Sequence, residues 1–403
     1  MSSSLTEILL PRRPADVPLP AAVTEGEDRS LFVALAAVPD PRGLRGRRYS
    51  LVSILSVAVC AVLAGACTFA AITDWVRDQD RSVWDRLGFT DQVPAATTVW
   101  RLLIRIDAEV LSQVLARWLR ARAAPVMVTG RRWRLVIAVD GKVVRGARLP
   151  DGRQVHLLSA YDTSSGVVLA QVQIAEKSNE IPAFTPLLQL VAAQLGSLTD
   201  ILVVADALHA QTGHAELLAA AGGHLMVAVK ANQPKLFAQL KALPWAQVPV
   251  GDQTRDTGHG RQETRTVKAI TIHTPGGLHF PHAQQAIRIT RTRTIKGRTT
   301  RETAYLTVSL PAEQAQPADL GTWARSEWHI ENRLHYVRDV TLREDAHRTK
   351  TGNGPAVFAT LRNTSIGYHR TNGATNIAEA TRRANHRPHD LIDAVTRSNP
   401  TTQ

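Results

Sequence analysis

The sequence predicts an α/β protein: a mixed five-stranded sheet with helices on both faces, carrying a β-rich insertion and preceded by an all-helical N-terminal region. Three observations lead there. Between residues 135 and 230, short apolar runs rich in β-branched residues alternate with amphipathic helical stretches. Before residue 125 the periodicity is helical with no strand pattern between. From 233 to 317 strand-like runs alternate with Gly, Pro and Thr turns.

The chain has 403 residues and is 44% apolar, enough for two or three cores of roughly 100–200 residues each. Its net charge of +13 attracts polyanions, of which nucleic acid is the commonest in a cell. Two cysteines exclude a disulfide scaffold and a Cys-rich zinc module, so a reducing, cytoplasmic setting is expected. The uncharged run from Tyr49 to Thr73 is long enough to span a bilayer. It is rich in Ala, Ser, Gly and Cys, however, and reads as a buried helical hairpin broken near Gly65.

Taken in order, residues 1–28 are proline-rich (LLPRRPADVPLP) and read as a flexible leader. The helical region runs over 29–125. Its last stretch, TTVWRLLIRIDAEVLSQVLARWLRARA, repeats apolar residues at three and four from Leu103 to Trp118. Over 131–232 the order is β-β-β-α-β-α-β. RLVIAVDGK is the first strand, VHLLSAYDT and GVVLAQVQI form a hairpin, and DILVVADA and HLMVAVKAN are buried strands separated by helices. The β-rich insertion covers 233–317. Helices resume over 318–370 in WARSEWHIENRLHYVRDV and PAVFATLRNTSIGYHR, and 371–403 reads as a basic tail, poorly ordered at its end.

Asp140 and Asp206 each end one of the apolar strands. Ligands of open α/β sheets sit outside the carboxyl ends of parallel strands. If the two strands are neighbours, the carboxylates converge across about 5 Å, and a divalent cation holds both ionised. Oxygen ligands favour Mg²⁺ or Mn²⁺. A strand-end Asp that caps the next helix is the plainer alternative. A third acid is expected from the run WHIENRLHYVRD or its neighbours: Glu331, Glu327 one turn earlier on the same face, and Asp339, Glu344 and Asp345 beyond it all qualify on pattern.

The blocks AVDGKVVRG, KSNEIPA, VVADALHAQ, VKANQPKL, GHGRQETR and WHIENRLHYVRDV, in this order over roughly residues 30–370, resemble the ISAs-type insertion-sequence transposases. These are bacterial DDE enzymes with an RNase H-like core, and DPRGLRGRRYSLVSILSVAVCAVLAGA resembles their associated helical domain. The resemblance implies Asp140, Asp206 and Glu331 as the catalytic, metal-binding triad. It implies two Mg²⁺ ions, replaceable by Mn²⁺, and strand cleavage and transfer by in-line displacement at phosphorus. It implies double-stranded DNA as partner (terminal inverted repeats and target), a homodimer in the synaptic complex, a cytoplasmic, nucleoid-associated location, and no membrane. A nuclease without strand transfer, or a decayed DNA-binding relic, are the alternatives. One departure bears on the second: Glu327 stands where the family pattern has a basic residue or His.

Cations cluster where DNA would lie. Arg288, Arg291, Arg293, Lys296, Arg298 and Arg301 fall in fourteen residues without an acid, a ribbon able to track phosphates. Lys142 and Arg145 flank Asp140 and by resemblance border the scissile phosphate; Lys230 and Arg338 are further candidates, as are Arg42, Arg45, Arg47, Arg48, Arg131, Arg132 and Arg134. His209 and His259 read as hydrogen-bonded structural residues, and Glu263 as a partner of Arg261. Binding to element-end DNA should therefore fall steeply with added salt, with a log–log slope of about −0.9 per phosphate neutralised. Anisotropy titrations between low and physiological salt measure it, and a flat response contradicts the role given to the ribbon.

Overall fold

The computed structural model describes residues 30–396 apart from 46, 124–133, 149–151, 153, 175–178, 259 and 274–276. The leader at 1–28, Arg131, Arg132 and His259 lie outside the described residues.

Six helices come first: α1 (Leu31–Leu35), α2 (Leu51–Leu63), α3 (Phe69–Arg77), α4 (Arg81–Arg86), α5 (Ala96–Leu103) and α6 (Ala108–Arg122). The uncharged run forms α2, α3 and the turn between them. The Ser50 hydroxyl accepts from the Ser53 amide to start α2, which is buried along nearly its whole length. The chain reverses at Gly65, whose φ of 99° a side chain would oppose. Among the described residues, no helix is long and apolar enough to cross a membrane. The single apolar stripe read from Leu103 to Trp118 is carried by two helices. Asp107 accepts from the amides of Glu109 and Val110 and so begins α6 anew, a local cap overriding the periodicity.

Next come β1 (Val136–Arg148), β2 (Gln154–Asp162), β3 (Val168–Gln173), α7 (Glu180–Leu195), β4 (Leu202–Ala205), α8 (Thr212–Ala220) and β5 (His224–Val229). They are followed by α9 (Pro234–Ala242), β6 (Asp252–Gly258), β7 (Arg261–Thr271), β8 (Gln285–Ile295) and β9 (Arg298–Val308). The strands form one sheet in the order β3-β2-β1-β4-β5-β9-β8-β7-β6. The expected five-stranded sheet is thus a sheet of nine. The four insertion strands are a meander whose last member pairs antiparallel with β5, Met226 opposite Val308, and so covers an edge that would otherwise stand open. Sequence patterning missed α9 and the polar β6, which alternates exposed and half-exposed residues and has no apolar signature.

Strand alternation assigns each face its work. Ile137, Val139, Val203, Ala205, Leu225 and Val227 point to the face covered by α7 and α8 and share the large core with α1–α6. Val136, Leu202, Val204 and Met226 point the other way, beneath α10 (Pro317–His329). Ala138 on that second face packs on Ile330 and Leu334, in the π-helical stretch Ile330–His335 that continues α10. A second π-helical stretch, Val337–Thr341, follows, then α11 (Gly354–Thr371), buried nearly throughout against α2 and α6. The region read as a basic tail carries two helices: α12 (Ile377–His386) and α13 (Pro388–Thr396) seat Ile377, Leu391, Ile392 and Val395 in the core, and the end of the tail, 397–403, lies outside the described residues. Arg122 donates to the Ala394 carbonyl at 2.6 Å, and Arg86 pairs with Asp393.

Arg338 holds Glu344 through both carboxylate oxygens at 2.8–3.1 Å, and Arg362 reaches the same carboxylate at 3.2 Å and the Cys67 carbonyl at 3.3 Å. This Arg–Glu–Arg cluster is buried and ties the second π-helical stretch to α11 and to the α2–α3 turn. Arg338, expected on DNA, is fully buried: its charge is spent on Glu344. Arg134 is likewise buried, donating to the Asp200 carbonyl and to Gln314. Glu344→Ala leaves two buried guanidinium groups uncompensated and should cost about 3–5 kcal/mol of unfolding free energy. Urea titration checks this, and a loss below about 1 kcal/mol contradicts it.

Candidate active site

β1 and β4 run parallel, with Val139 opposite Ala205. The next residue on each is an acid, so Asp140 and Asp206 stand side by side, both on the α10 face by alternation. Asp206 does end its strand. Asp140 does not: β1 continues to Arg148 against β2, and what ends at Asp140 is the pairing with β4. The Asp140 Oδ1 accepts from the Gly141 amide at 2.9 Å. The Asp206 Oδ1 accepts from the Leu208 amide at 2.8 Å, capping the 3₁₀ turn Ala207–His209. The plainer reading of Asp206 as a cap is therefore present in the structure together with its place beside Asp140.

The π-helical stretch supplies the rest. The His335 Nδ1 lies 3.4 Å from the Asp140 Oδ2 and 4.0 Å from the Glu331 Oε2. One ligand atom from each of Asp140, Glu331 and His335 lies within 4.8 Å of the others. Local π-winding often marks functional positions. Here it carries an exposed acid, Glu331, and a buried imidazole, His335, on one face. The two carboxylates suit a hard divalent cation of the Mg²⁺ or Mn²⁺ class, whereas the imidazole is a ligand type that Mg²⁺ does not favour. His335 was visible in the sequence only as a residue four places after Glu331.

A cavity of about 600 Å³ opens beside this cluster between α10 and the insertion strands; its lining includes Asp206, Lys230, Arg265, Arg291, Glu327 and Trp328. Lys230 is exposed there, on the same face as Asp206. The other predicted cations have divided fates. Lys142 is buried and donates to the Asp339 Oδ2 at 2.6 Å, fastening β1 to the second π-helical stretch rather than meeting solvent. Arg145 is exposed, 3.7 Å from Asp345. Within the ribbon, Arg291 pairs with Glu302 and lies over the Trp328 ring, and Arg293 donates to Glu263 at 3.2 Å. The ribbon's freedom from acid in sequence thus does not survive pairing, because neighbouring strands bring Glu263 and Glu302 opposite its arginines. Glu263 meets Arg265 and Arg293 rather than Arg261. Lys296, Arg298 and Arg301 remain exposed at the tip of the β8–β9 hairpin. Near the N-terminus, Arg42 and Arg47 both share Asp40.

The chain matches two family models: DDE_Tnp_1-associated over residues 32–119 and Transposase DDE domain over 133–366. It belongs to the Transposase DDE domain family, and that membership implies dependence on a divalent metal. It is similar to "Putative transposase YncI" of Escherichia coli O157:H7, 27% identical over 353 residues, 84% of this chain and 86% of that one. It is also similar to "H repeat-associated putative transposase YhhI" of Escherichia coli (strain K12), 27% identical over 363 residues, 84% and 90% of the two chains. A cryo-EM structure of a piggyBac transposase synaptic complex with hairpin DNA aligns with 94% of this chain and 80% of its own, at a TM-score of 0.42 and 11% identity.

Glu327, which stands where the sequence reading expected a basic residue or His, does not turn away. Burial, then the charges of Asp140 and Asp206, push its carboxyl up to about 7, with Lys230 opposing and Glu331 adding to the rise. Arg338 cannot compensate, being committed to Glu344. In metal-free protein the folded state then keeps a proton on Glu327 that the unfolded chain has released above its ordinary 4.5. Stability from this group therefore falls as pH rises through the window from 4.5 to about 7. Denaturant titrations in chelator should show Glu327→Gln gaining on the parent across that window, by roughly 3 kcal/mol at most. Parallel pH profiles for the two proteins would contradict this placement.

Proposed function

We propose that this DDE transposase cuts DNA at the ends of an insertion sequence and joins the freed ends to target DNA, with Asp140, Asp206 and Glu331 as its catalytic and metal-holding acids. The observation that carries the reading is the registered pair Asp140 and Asp206, on one sheet face, opposite the helix bearing Glu331. The strand order β3-β2-β1-β4-β5 supports an RNase H-like core over 131–232 and 318–370, with 233–317 inserted and 29–125 as the associated helical unit.

Two Mg²⁺ ions, or Mn²⁺ in their place, are the proposed complement, held by Asp140, Asp206 and Glu331. Divalent ions at such a site make water or a DNA 3′-hydroxyl a stronger nucleophile and stabilise the leaving oxygen. The chain's own groups do the rest. Gly141 and Leu208 amides aim the two aspartates. His335 faces Asp140 and Glu331 from the buried side at 3.4 and 4.0 Å and is proposed to set their separation. Lys230, Arg291, Arg293, Lys296, Arg298 and Arg145 are proposed to receive DNA phosphates, the hairpin-tip cations with least competition from acids. Recognition of terminal repeats, a homodimeric synaptic complex and a cytoplasmic, nucleoid-associated location belong to the same proposal.

A second reading, a DNA-binding relic, draws on one observation: Glu327 adds a fourth acid where a phosphate would approach. The two readings part on one variant. Asp140→Asn should abolish both nicking and joined products on DNA carrying the element's own ends, by at least about 10³-fold, a loss worth roughly 4 kcal/mol of barrier. Gel shift of end DNA should be unchanged. A parent protein that binds ends yet yields no product in Mg²⁺ or Mn²⁺ supports the relic, and cleavage without joining supports a nuclease.

A further inference from the structure

We propose that Glu180, on the opposite face of the sheet from the metal-holding acids, is a positioning residue that fixes Asp140 and Asp206 relative to each other. This rests on the assignment of those two residues as the ion-holding pair.

Glu180 is the first residue of α7, whose N-cap Asn179 accepts from the Ile181 amide. The helix start delivers the carboxylate under the seam between β1 and β4. There one oxygen meets the His156 Nε2 of β2 at 3.2 Å and the other meets the His209 Nε2 at 3.4 Å. The same carboxylate lies so close to the Gly141 Cα that a Cβ at that position would overlap it. Burial opposes its ionisation, yet the flanking His156 and His209 hold the carboxyl down at about 2.

Each contact leads to one aspartate. Gly141 gives the amide that the Asp140 carboxylate accepts, so the carboxylate behind Gly141 backs the amide aiming Asp140. His209 closes the 3₁₀ turn that Asp206 caps, and its own amide donates to the Asp206 carbonyl at 3.2 Å. His209 is completely buried, tilted against Phe184 and His214, which leaves Glu180 as the acid its ring meets. Asn232 and Gln233, just beyond β5, hold the same turn through the Ala207 and Ala210 carbonyls at 2.6 and 2.7 Å. One side chain thus buttresses both short segments whose amides orient the metal-holding oxygens. An overlap at residue 141 explains why the position after Asp140 is glycine although its φ is not of the left-handed kind.

The test uses the full-length protein and Mn²⁺ alone as probe. Calorimetric titration of Mn²⁺ should show Glu180→Gln weakened by about 10- to 100-fold, the range for groups that orient a metal's ligands without touching it. Turnover on end DNA should fall likewise, while the dissociation constant for end DNA stays near the parent's; the melting temperature should drop somewhat, because Glu180→Gln gives up a carboxylate that its two histidines keep ionised. Gly141→Ala should reproduce the defect. In a Glu180→Ala background, where only the tip of the His156 ring still lies close to the new methyl, adding Gly141→Ala should cost much less than it does in the parent, a non-additivity that a general loss of stability does not produce. Parent-like Mn²⁺ affinity in Glu180→Gln, or full additivity of Gly141→Ala with Glu180→Ala, overturns the proposal. Asp140→Asn, run alongside, separates the cases: if it loses Mn²⁺ and Glu180→Gln does not, only the positioning role fails; if it binds Mn²⁺ normally, the assignment of the metal-holding pair fails too.

Discussion

The parallel register of β1 on β4 is the constraint on which the site depends. Side chains alternate across a strand, so a one-residue slip of either would send its aspartate through the sheet to the α7 face. Apolar burial on both faces opposes that slip. Ile137 and Val139 are buried beneath α7 and α8, Val136 and Ala138 beneath α10 and the π-helical stretch, and none could trade places without placing Asp140 in the core. The acids are held by hydrophobic pattern first and by hydrogen bonds second.

Charge is arranged around that pair in layers. Acids crowd the α10 face at Asp140, Asp206, Glu327 and Glu331, and the nearest inward-facing cations are assigned elsewhere. Lys142 is taken by Asp339, and Arg338 and Arg362 by Glu344. Such buried pairs add little net stability, but breaking one strands a charge, so they resist rearrangement and keep the π-helical stretch where Glu331 can face Asp140. The crowding of like charge in the metal-free state is what a divalent cation would relieve. The remaining positive charge is displaced outward, to the hairpin tip and the cavity rim, where phosphate could reach it.

Much of this was legible from residues alone. The helix EIPAFTPLLQLVAAQL and the buried strands around residues 136, 202 and 224 lie where their periodicity placed them, because each carries a complete apolar signature. Elements with a weak signature were missed: β6 is polar on both faces, and α12 and α13 bury only a few residues each. Among site residues, Arg338 and Lys142 show the limit. A cation beside a catalytic motif has the same letter whether it meets phosphate or a carboxylate far along the chain, and Lys142 meets one at residue 339.

By itself the sequence determined the α/β class, the two acids that follow the apolar runs, the helix bearing Glu331 and the family resemblance, since these are local patterns or ordered motifs. Only the tertiary structure decided that the insertion extends the core sheet, that His335 and Glu327 join the acid cluster, and that Glu180 lies behind Gly141. Those facts depend on which edge a strand pairs with and which face a side chain meets. Both are set by packing between segments far apart in the chain, which no local pattern encodes.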